Sequence, residues 1–397
     1  MRAELCLDAI LVERALLVCV GSGGTGKTTI AAALALEAAR RGRKVLVLTI
    51  DPARRLADAL GVEALGNRPQ PIERARLGEW GVPAAGELFA MMLDMKRTFD
   101  DLVERFAREP AIRERIFANP IYQHISNALA GSVEYSAMEK VFEMHESGRF
   151  DLIVVDTPPA QHALDFLEAP QRLIEFLDSR LVKMLIHPAF AAGRLSFRLF
   201  HRGTQRLLQL LERITGIGFL EDVSEFLIAF DSMADGFRDR AERVQSLLRG
   251  AGSAFVLVSG PGRESALQAS ALLERIERHG VLLAGAIANR LRLWPSSGAP
   301  PLDSEPRSAD VAKLSEALRA SEGDAYPAAL AAEAAALAAA RYAAWVRSDA
   351  LAAEPLRERI HAQGRFWIAI PEFDGDVHDL SGLAQMADRI AARTREP

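Results

Sequence analysis

The sequence contains very little cysteine. Cys6 and Cys19 are the only two thiols among its 397 residues. Two are too few for a disulfide framework, a Cys-rich zinc site or a thiolate cage for a soft metal ion. So low a cysteine content is typical of proteins in a reducing compartment. We therefore expect a cytoplasmic protein.

An excess of positive charge and long apolar runs are also missing. Lys and Arg number 48 and Asp and Glu 53, for a net charge of -5, so no basic field would attract nucleic acid. Apolar stretches such as 281–288 have the length of a strand and fall short of the roughly eighteen residues of a spanning helix. Charged residues also interrupt the first 14 positions, so we expect no signal peptide. Nucleic acid is not expected as a partner, and membrane contact is expected to be peripheral at most.

What is present is an alternation of short apolar runs with long amphipathic or Ala-rich runs. This alternation predicts an α/β fold with a mostly parallel, doubly wound sheet covered by helices on both faces. The seven predicted strands are 15–20, 45–50, 88–93, 152–156, 254–259, 283–289 and 366–370. Helices are predicted at 27–40 and 265–279, each ending in a basic turn before a glycine, Gly42 or Gly280.

Residues 21–28 read GSGGTGKT and form a P-loop motif between a predicted strand and a predicted helix. In such a loop, backbone N–H groups turn toward phosphate, the lysine reaches the β and γ phosphates, and the last residue coordinates Mg²⁺. We therefore expect ATP and Mg²⁺ to bind, with Lys27 on the phosphates and Thr28 on the metal. The expected nucleotide-binding residues are Gly23, Gly24, Thr25, Gly26, Lys27, Thr28 and Thr29. The alternative is a glycine-rich turn that binds nothing.

Two further strands end in aspartate. The carboxyl ends of parallel strands line one crevice, so Asp51 and Asp156 should face the P-loop. We assign Asp51, with Lys27, a catalytic role in which its carboxylate orients water toward the γ phosphate. The alternative for Asp51 is an N-cap of a helix beginning near Pro52. Asp156 has the position of a Walker B aspartate, which binds Mg²⁺ through a water.

Two stretches, about 98–144 and 170–248, have helical periodicity with no strand between them. The sequence thus predicts a P-loop NTPase with an inserted helical subdomain. Its ATPase domain would consist of residues 1–97, 146–169 and 251–397, and the subdomain of 98–145 and 170–250. The last ATPase segment would carry a Pro-rich loop at 294–306 and an Ala-rich helix at 328–353.

Residues 21–29 (GSGGTGKTT), 48–53 (LTIDPA) and 156–164 (DTPPAQHAL) together resemble the arsenite-pump ATPase family, which includes the ATPases that target tail-anchored membrane proteins. The resemblance covers about residues 15–383. It implies a dimer with nucleotide at the interface and a helical subdomain that opens and closes with nucleotide state. It places Asp51 in switch I. By the same resemblance, switch II contains Asp156, Thr157, Pro158, Pro159 and His162, and adenine is read by Asn289 and by the loop Pro371, Glu372 and Phe373. Asn289 could instead be only a turn residue at the end of a strand.

The sequence departs from the family pattern at the signature lysine. That lysine follows the first P-loop glycine and reaches into the partner's site, whereas this chain has Ser22 there. Arg54 and Arg55 follow Asp51 and are candidates for a trans arginine. Alternatively, they solvate a surface helix, or a paralogous partner brings the lysine. With two cysteines and one P-loop, the sequence predicts neither metalloid transport nor the family's zinc clasp.

Two function classes stay open. The first is a slow, dimeric ATPase, formed with a second copy or a paralogue, that couples nucleotide state to binding of a protein partner or an apolar segment. The second is a nucleotide-dependent metabolic or phosphoryl-transfer enzyme on the same fold. The apolar residues of the helical subdomain could line a client groove, or they could form its own core or a dimer face.

Overall fold

A computed structural model of the chain describes residues 6–51, 54–73, 78, 85–107, 109–120, 122, 132–158, 165–179, 217–295, 308–322, 327–373, 375–377 and 379–393. Pro159 and His162 of the predicted switch II lie outside the described residues, as does most of the Pro-rich loop at 294–306.

The centre of the fold is one eight-stranded sheet. Its strands are β1 (Leu16–Gly21), β2 (Lys44–Thr49), β3 (Gln70–Pro71), β4 (Glu87–Met92), β5 (Leu152–Asp156), β6 (Ser253–Ser259), β7 (Leu283–Leu291) and β8 (Phe366–Pro371). Their spatial order is β3-β4-β2-β5-β1-β6-β7-β8. Every neighbouring pair is parallel except β3 and β4. The predicted mostly parallel α/β sheet is therefore confirmed.

The prediction of seven strands missed β3. This strand has only two residues and ends in a proline, so it carries neither a period nor a β-rich composition. It lies at the edge of the sheet, where a proline is tolerated because it has no ladder bond to lose.

Twelve helices are described. They are α1 (Leu7–Glu13), α2 (Lys27–Arg40), α3 (Arg55–Ala59), α4 (Met95–Phe106), α5 (Pro110–Ala118), α6 (Ser132–Glu146), α7 (Asp165–Asp178), α8 (Ile217–Arg249), α9 (Gly262–Arg278), α10 (Ser308–Glu322), α11 (Ala328–His361) and α12 (Leu380–Arg393). Gly42 and Gly280 follow α2 and α9 with φ of 92° and 67°, which explains why glycine stands there. No helix in the described part of the chain is long and apolar enough to cross a membrane.

Two predicted helix boundaries were wrong. Helix α9 begins at Gly262, before the predicted residue 265, with Pro261 at its N-cap position. Helix α11 continues past residue 353 to His361. Leu356 and Ile360 are buried against the sheet, so tertiary packing extends this helix beyond its Ala-rich part.

Apolar cores lie on both faces of the sheet. One core packs β-strand residues against α1, α2, α3 and α12. The other packs the opposite side chains of the same strands against α6, α9, α11 and the end of α8. Strands buried on both faces consist of continuous apolar runs, and for this reason their positions could be predicted from the sequence.

A third core lies in the helices inserted between β4 and β6. It contains Phe99 of α4, Tyr135 of α6, Phe237 of α8 and Tyr122, all buried. Their rings contact one another, with the centroids of Phe99 and Phe237 6.4 Å apart. These apolar side chains therefore belong to the helical region's own core. The predicted subdomain boundaries stay predictions.

A buried ionic cluster joins three helices of this region. Glu139 of α6 is 1% exposed and accepts hydrogen bonds from Arg240 Nε of α8 at 2.7 Å and from Arg105 Nη1 of α4 at 3.4 Å. Glu143 faces the same carboxylate and repels it, while Tyr135 lies beside it. Burial outweighs the attraction of the two arginines and raises the pKa of Glu139 to about 7.

This raised pKa predicts a pH-dependent stability. Between its ordinary value of 4.5 and about 7, Glu139 binds a proton in the folded state and not in the unfolded state, so the free energy of unfolding falls as pH rises. The change attributable to Glu139 is on the order of 3 kcal/mol. We expect Glu139→Gln to gain stability relative to wild type between pH 5 and pH 8, measured by urea unfolding.

The control for this prediction is Glu242→Gln. Glu242 is an exposed glutamate of α8, the helix that also carries Arg240. Because solvent screens its charge, its substitution should shift stability by a similar amount at both pH values. A Glu139→Gln variant whose difference from wild type is the same at pH 5 and pH 8 contradicts the prediction.

Candidate nucleotide-binding site

Four strands of the sheet deliver the predicted site residues to one edge. The P-loop follows β1, Asp51 lies two residues after β2, Asp156 ends β5, and Asn289 lies near the end of β7. All four strands are parallel, so their carboxyl ends share this edge. The described P-loop, Asp51, Asp156 and Asn289 are thus brought together as the sequence predicted.

The P-loop backbone needs its glycines. Gly24 and Gly26 have φ of 76° and 83°, a conformation that other residues rarely adopt. A Cβ on Gly21 would lie 2.2 Å from the carbonyl oxygen of Val258 on the neighbouring strand. The loop therefore turns tightly into α2, whose N-terminal N–H groups and positive dipole end point into the site.

Lys27 is buried and contacts the backbone of the P-loop. Its Nζ donates a 2.9 Å hydrogen bond to the carbonyl oxygen of Ser22, and the residue is only 7% exposed. Burial lowers the pKa of Lys27, although the negative charges of Asp156 and Asp51 counteract this effect. The lysine therefore lies within electrostatic reach of both carboxylates.

Asp156 receives hydrogen bonds from two threonines. Thr28 Oγ1 and Thr49 Oγ1 each lie 2.8 Å from Asp156 Oδ2. Asp156 Oδ1 is buried and has no hydrogen-bond partner among the described residues. Burial raises the pKa of Asp156 to about 6 in spite of both hydrogen bonds and the charge of Lys27. Hydroxyl and carboxylate oxygens are the ligands that Mg²⁺ prefers, so Thr28 and Asp156 fit this metal.

Asp51 is partly buried beside this pair. Its backbone N–H donates to Thr49 Oγ1 at 3.2 Å. Helix α3 begins at Arg55 with Arg54 as its N-cap, later in the chain than the start near Pro52 that the N-cap alternative for Asp51 assumes. Pro52 and Ala53, which separate Asp51 from the helix, are outside the described residues. Arg54 and Arg55 are exposed, and the charge of Arg55 lowers the pKa of Lys27.

Asn289 lies inside β7, which continues to Leu291. The alternative that it is only a turn residue after the strand is therefore wrong. Its side chain is 2% exposed and its Nδ2 donates to the carbonyl oxygen of Thr25 at 2.9 Å. Strand β7 extends further than predicted because it pairs with β8 as far as Leu291 and Pro371.

The predicted adenine loop lies beside the end of β7. Pro371 ends β8, the backbone N–H of Glu372 donates to the carbonyl oxygen of Leu291 at 3.1 Å, and Phe373 packs partly buried against the core. The pairing of β7 with β8 thus places Pro371, Glu372 and Phe373 near the end of the strand that carries Asn289.

The described part of the predicted switch II is anchored to the central strand β1. Thr157 Oγ1 donates to the carbonyl oxygen of Cys19 at 2.7 Å, and Pro158 follows it. Sequence reasoning did not single out Thr49, whose hydroxyl contacts both Asp156 and the backbone of Asp51. The sequence did carry a signal for Thr49, since this residue with a hydroxyl group ends β2, the strand that leads to Asp51.

Comparison with known proteins agrees with this geometry. The model of the anion-transporting ATPase family, ArsA, matches residues 14–292. The chain is 34% identical to the uncharacterized protein SCO2128 of Streptomyces coelicolor over 181 residues, which are 45% of this chain and 41% of that protein. It is 24% identical to ATPase GET3 of Malassezia globosa over 298 residues, covering 74% of this chain and 78% of the relative.

A third relative is ATPase get3 of Aspergillus terreus, with 30% identity over 212 residues, 52% of this chain and 57% of that protein. The matches to SCO2128 and to this ATPase thus span about half the length of each relative or less. The family match, in contrast, extends from the strand before the P-loop to the end of β7. The chain therefore belongs to the anion-transporting ATPase family.

Proposed function

We propose that the chain is an ATP-binding and ATP-hydrolysing switch that works slowly and as a dimer. The observation that carries this proposal is the convergence of the P-loop lysine with Asp51 and Asp156 at one edge of the sheet. A glycine-rich turn without a ligand would require neither a buried lysine nor a carboxylate held by two threonines.

The P-loop residues would bind the triphosphate. The backbone N–H groups of residues 23–29 would surround the phosphate oxygens, and Lys27 would exchange its hydrogen bond with the Ser22 carbonyl for the β and γ phosphates. Thr28, and Asp156 through a water, would hold Mg²⁺, which when bound neutralises charge on the β and γ phosphates. The Oδ1 of Asp156, which has no hydrogen-bond partner among the described residues, is consistent with this role.

Hydrolysis would depend on Asp51. Its carboxylate would orient a water for attack on the γ phosphate and accept its proton. Adenine would be bound by Asn289 together with Pro371, Glu372 and Phe373. The Oδ1 of Asn289 is buried without a partner among the described residues, and as an acceptor it suits the amino group of adenine better than the carbonyl oxygen of guanine.

Dimerisation, partner binding and location are extensions of this proposal. The family resemblance supports a dimer with a second copy or a paralogue, a protein partner or apolar segment as client, and a cytoplasmic location. Turnover is proposed to be slow because Ser22, at the position of the signature lysine, has no charge to offer the partner's site. Single-turnover analysis tests the reaction, since a hydrolase releases all of the γ phosphate as inorganic phosphate whereas a transferase labels an acceptor.

Lys27→Ala is expected to weaken Mg-ATP binding at least tenfold, because it removes the only P-loop side-chain cation from the phosphates. Isothermal titration calorimetry measures this affinity. Lys44→Ala is the matched control, since Lys44 is 41% exposed at the opposite end of the sheet and should bind ATP as wild type does. Equal affinity of Lys27→Ala and wild type would contradict the P-loop assignment.

A further inference from the structure

Asn289 contacts the phosphate-binding loop directly. Its Nδ2 donates to the carbonyl oxygen of Thr25, 264 positions earlier in the chain, in a buried hydrogen bond of 2.9 Å. A Cβ on Gly26 would lie 2.3 Å from the same Nδ2. The glycine at position 26 therefore permits both its own backbone conformation and the approach of this side chain.

An irregularity in β7 accompanies this contact. The pairing of β7 with β8 shifts register between Ala288 and Leu291, and Arg290 has a φ of 59°, which is uncommon for a residue other than glycine. Asn289 and Leu291 are both buried, and Arg290 between them is exposed. Local strain of this kind persists where the surrounding structure requires it, often at functional sites.

The hydrogen bond also fixes which end of the amide faces which neighbour. Because Thr25 contributes a carbonyl oxygen, the nitrogen of Asn289 must face the P-loop. The Oδ1 then remains as a buried acceptor without a partner among the described residues. The amide of Asn289 thus donates to the P-loop through Nδ2, while its Oδ1 accepts no hydrogen bond from the described residues.

We propose that Asn289 is a positioning residue for the P-loop, which holds the Thr25 carbonyl so that the loop's N–H groups stay turned toward the phosphates. This inference rests on the proposed ATP function and adds to it a role of Asn289 that does not require contact with the adenine base. Without the amide, the buried Thr25 carbonyl would lose its partner and the loop would relax to satisfy it elsewhere. Binding of phosphate would then have to restore the loop geometry, which weakens affinity.

The first test needs no ligand. Hydrogen–deuterium exchange of a peptide covering residues 21–30 should be about tenfold faster in Asn289→Ala than in wild type. The matched control is Ser253→Ala, which also removes a hydrogen bond from a buried side chain to a carbonyl oxygen, that of Leu247. Ser253 lies at the opposite end of β6, so its loss should leave exchange in the P-loop unchanged.

The second test distinguishes the role of Asn289 in holding the P-loop from its proposed role in binding the adenine base. Mg-tripolyphosphate has the phosphates of ATP and no adenine, and its affinity should fall about tenfold in Asn289→Ala and stay unchanged in Ser253→Ala. Unchanged P-loop exchange overturns the proposal, and so does a variant that loses affinity for ATP while keeping it for tripolyphosphate. Equal acceleration of exchange in both variants overturns it as well, since this would be general destabilisation.

Two further features keep the test decisive. Should Asn289→Ala not fold, Asn289→Asp has the same shape, lacks the donor and should accelerate exchange in the same peptide. Wild-type protein that binds no Mg-ATP would refute the proposed function, whereas the exchange measurement would still show whether Asn289 holds the loop.

Discussion

Asp51→Asn is expected to bind Mg-ATP with nearly wild-type affinity and to turn it over at least 10²-fold more slowly. The asparagine keeps the size of the side chain and the backbone hydrogen bond to Thr49 Oγ1, but it cannot accept a proton from the attacking water. The substitution should therefore lower kcat and have little effect on the affinity for Mg-ATP. Calorimetry measures the affinity, and steady-state phosphate release measures the turnover.

Asp58→Asn serves as the control, because Asp58 is exposed in the helix that follows Asp51 and should retain full turnover. A variant at position 51 that loses affinity and turnover by the same factor would indicate a structural role. Turnover equal to wild type would exclude Asp51 as the residue that orients the water.

The fold could be predicted from the sequence where a local pattern reports burial. Strands such as β5, with every residue buried, are almost continuous apolar runs, and α2 is followed by Gly42, whose φ is positive. The two-residue strand β3 has no such pattern. The last turns of α11 depend on Leu356 and Ile360 packing against the sheet, a contact that periodicity within the Ala-rich segment does not reveal.

The positions of the candidate site residues could be predicted because P-loop chemistry restricts both residue type and spacing. Lys27, Asp51 and Asp156 each follow or end a strand, and parallel strands bring such positions to one edge. The contacts between distant segments could not be predicted in this way. The hydrogen bond from Asn289 to Thr25 and the two threonine hydroxyls on Asp156 depend on side-chain positions that only the folded chain defines.

Ser22 leaves open which group stabilises the charge that develops on the γ phosphate. Its Oγ is buried without a hydrogen-bond partner among the described residues, and a hydroxyl carries no positive charge. Arg54 and Arg55 are exposed at the start of α3, directly after the segment of Asp51. If one of them crosses the proposed dimer interface as an arginine finger, its substitution by alanine should lower turnover about 10³-fold or more.

The control is Arg263→Ala, since Arg263 is also exposed near the start of a helix that follows a strand and should retain turnover. If Arg54→Ala and Arg55→Ala both hydrolyse ATP at the wild-type rate, neither is a finger. The arginines would then only solvate α3, and the protein would be a slow ATPase or would take its lysine from a paralogue.

Mixed dimers distinguish a finger that acts in trans from one that acts in cis. The inactive arginine variant is mixed in equal amounts with Asp51→Asn and allowed to exchange subunits. In a mixed dimer, the site with an intact Asp51 receives its arginine from the other chain, so one of its two sites is restored. Random exchange makes about half of the dimers mixed, and total turnover should recover to about one quarter of wild type. An arginine that acts in cis gives no recovery, because every site then lacks either its own arginine or its own Asp51.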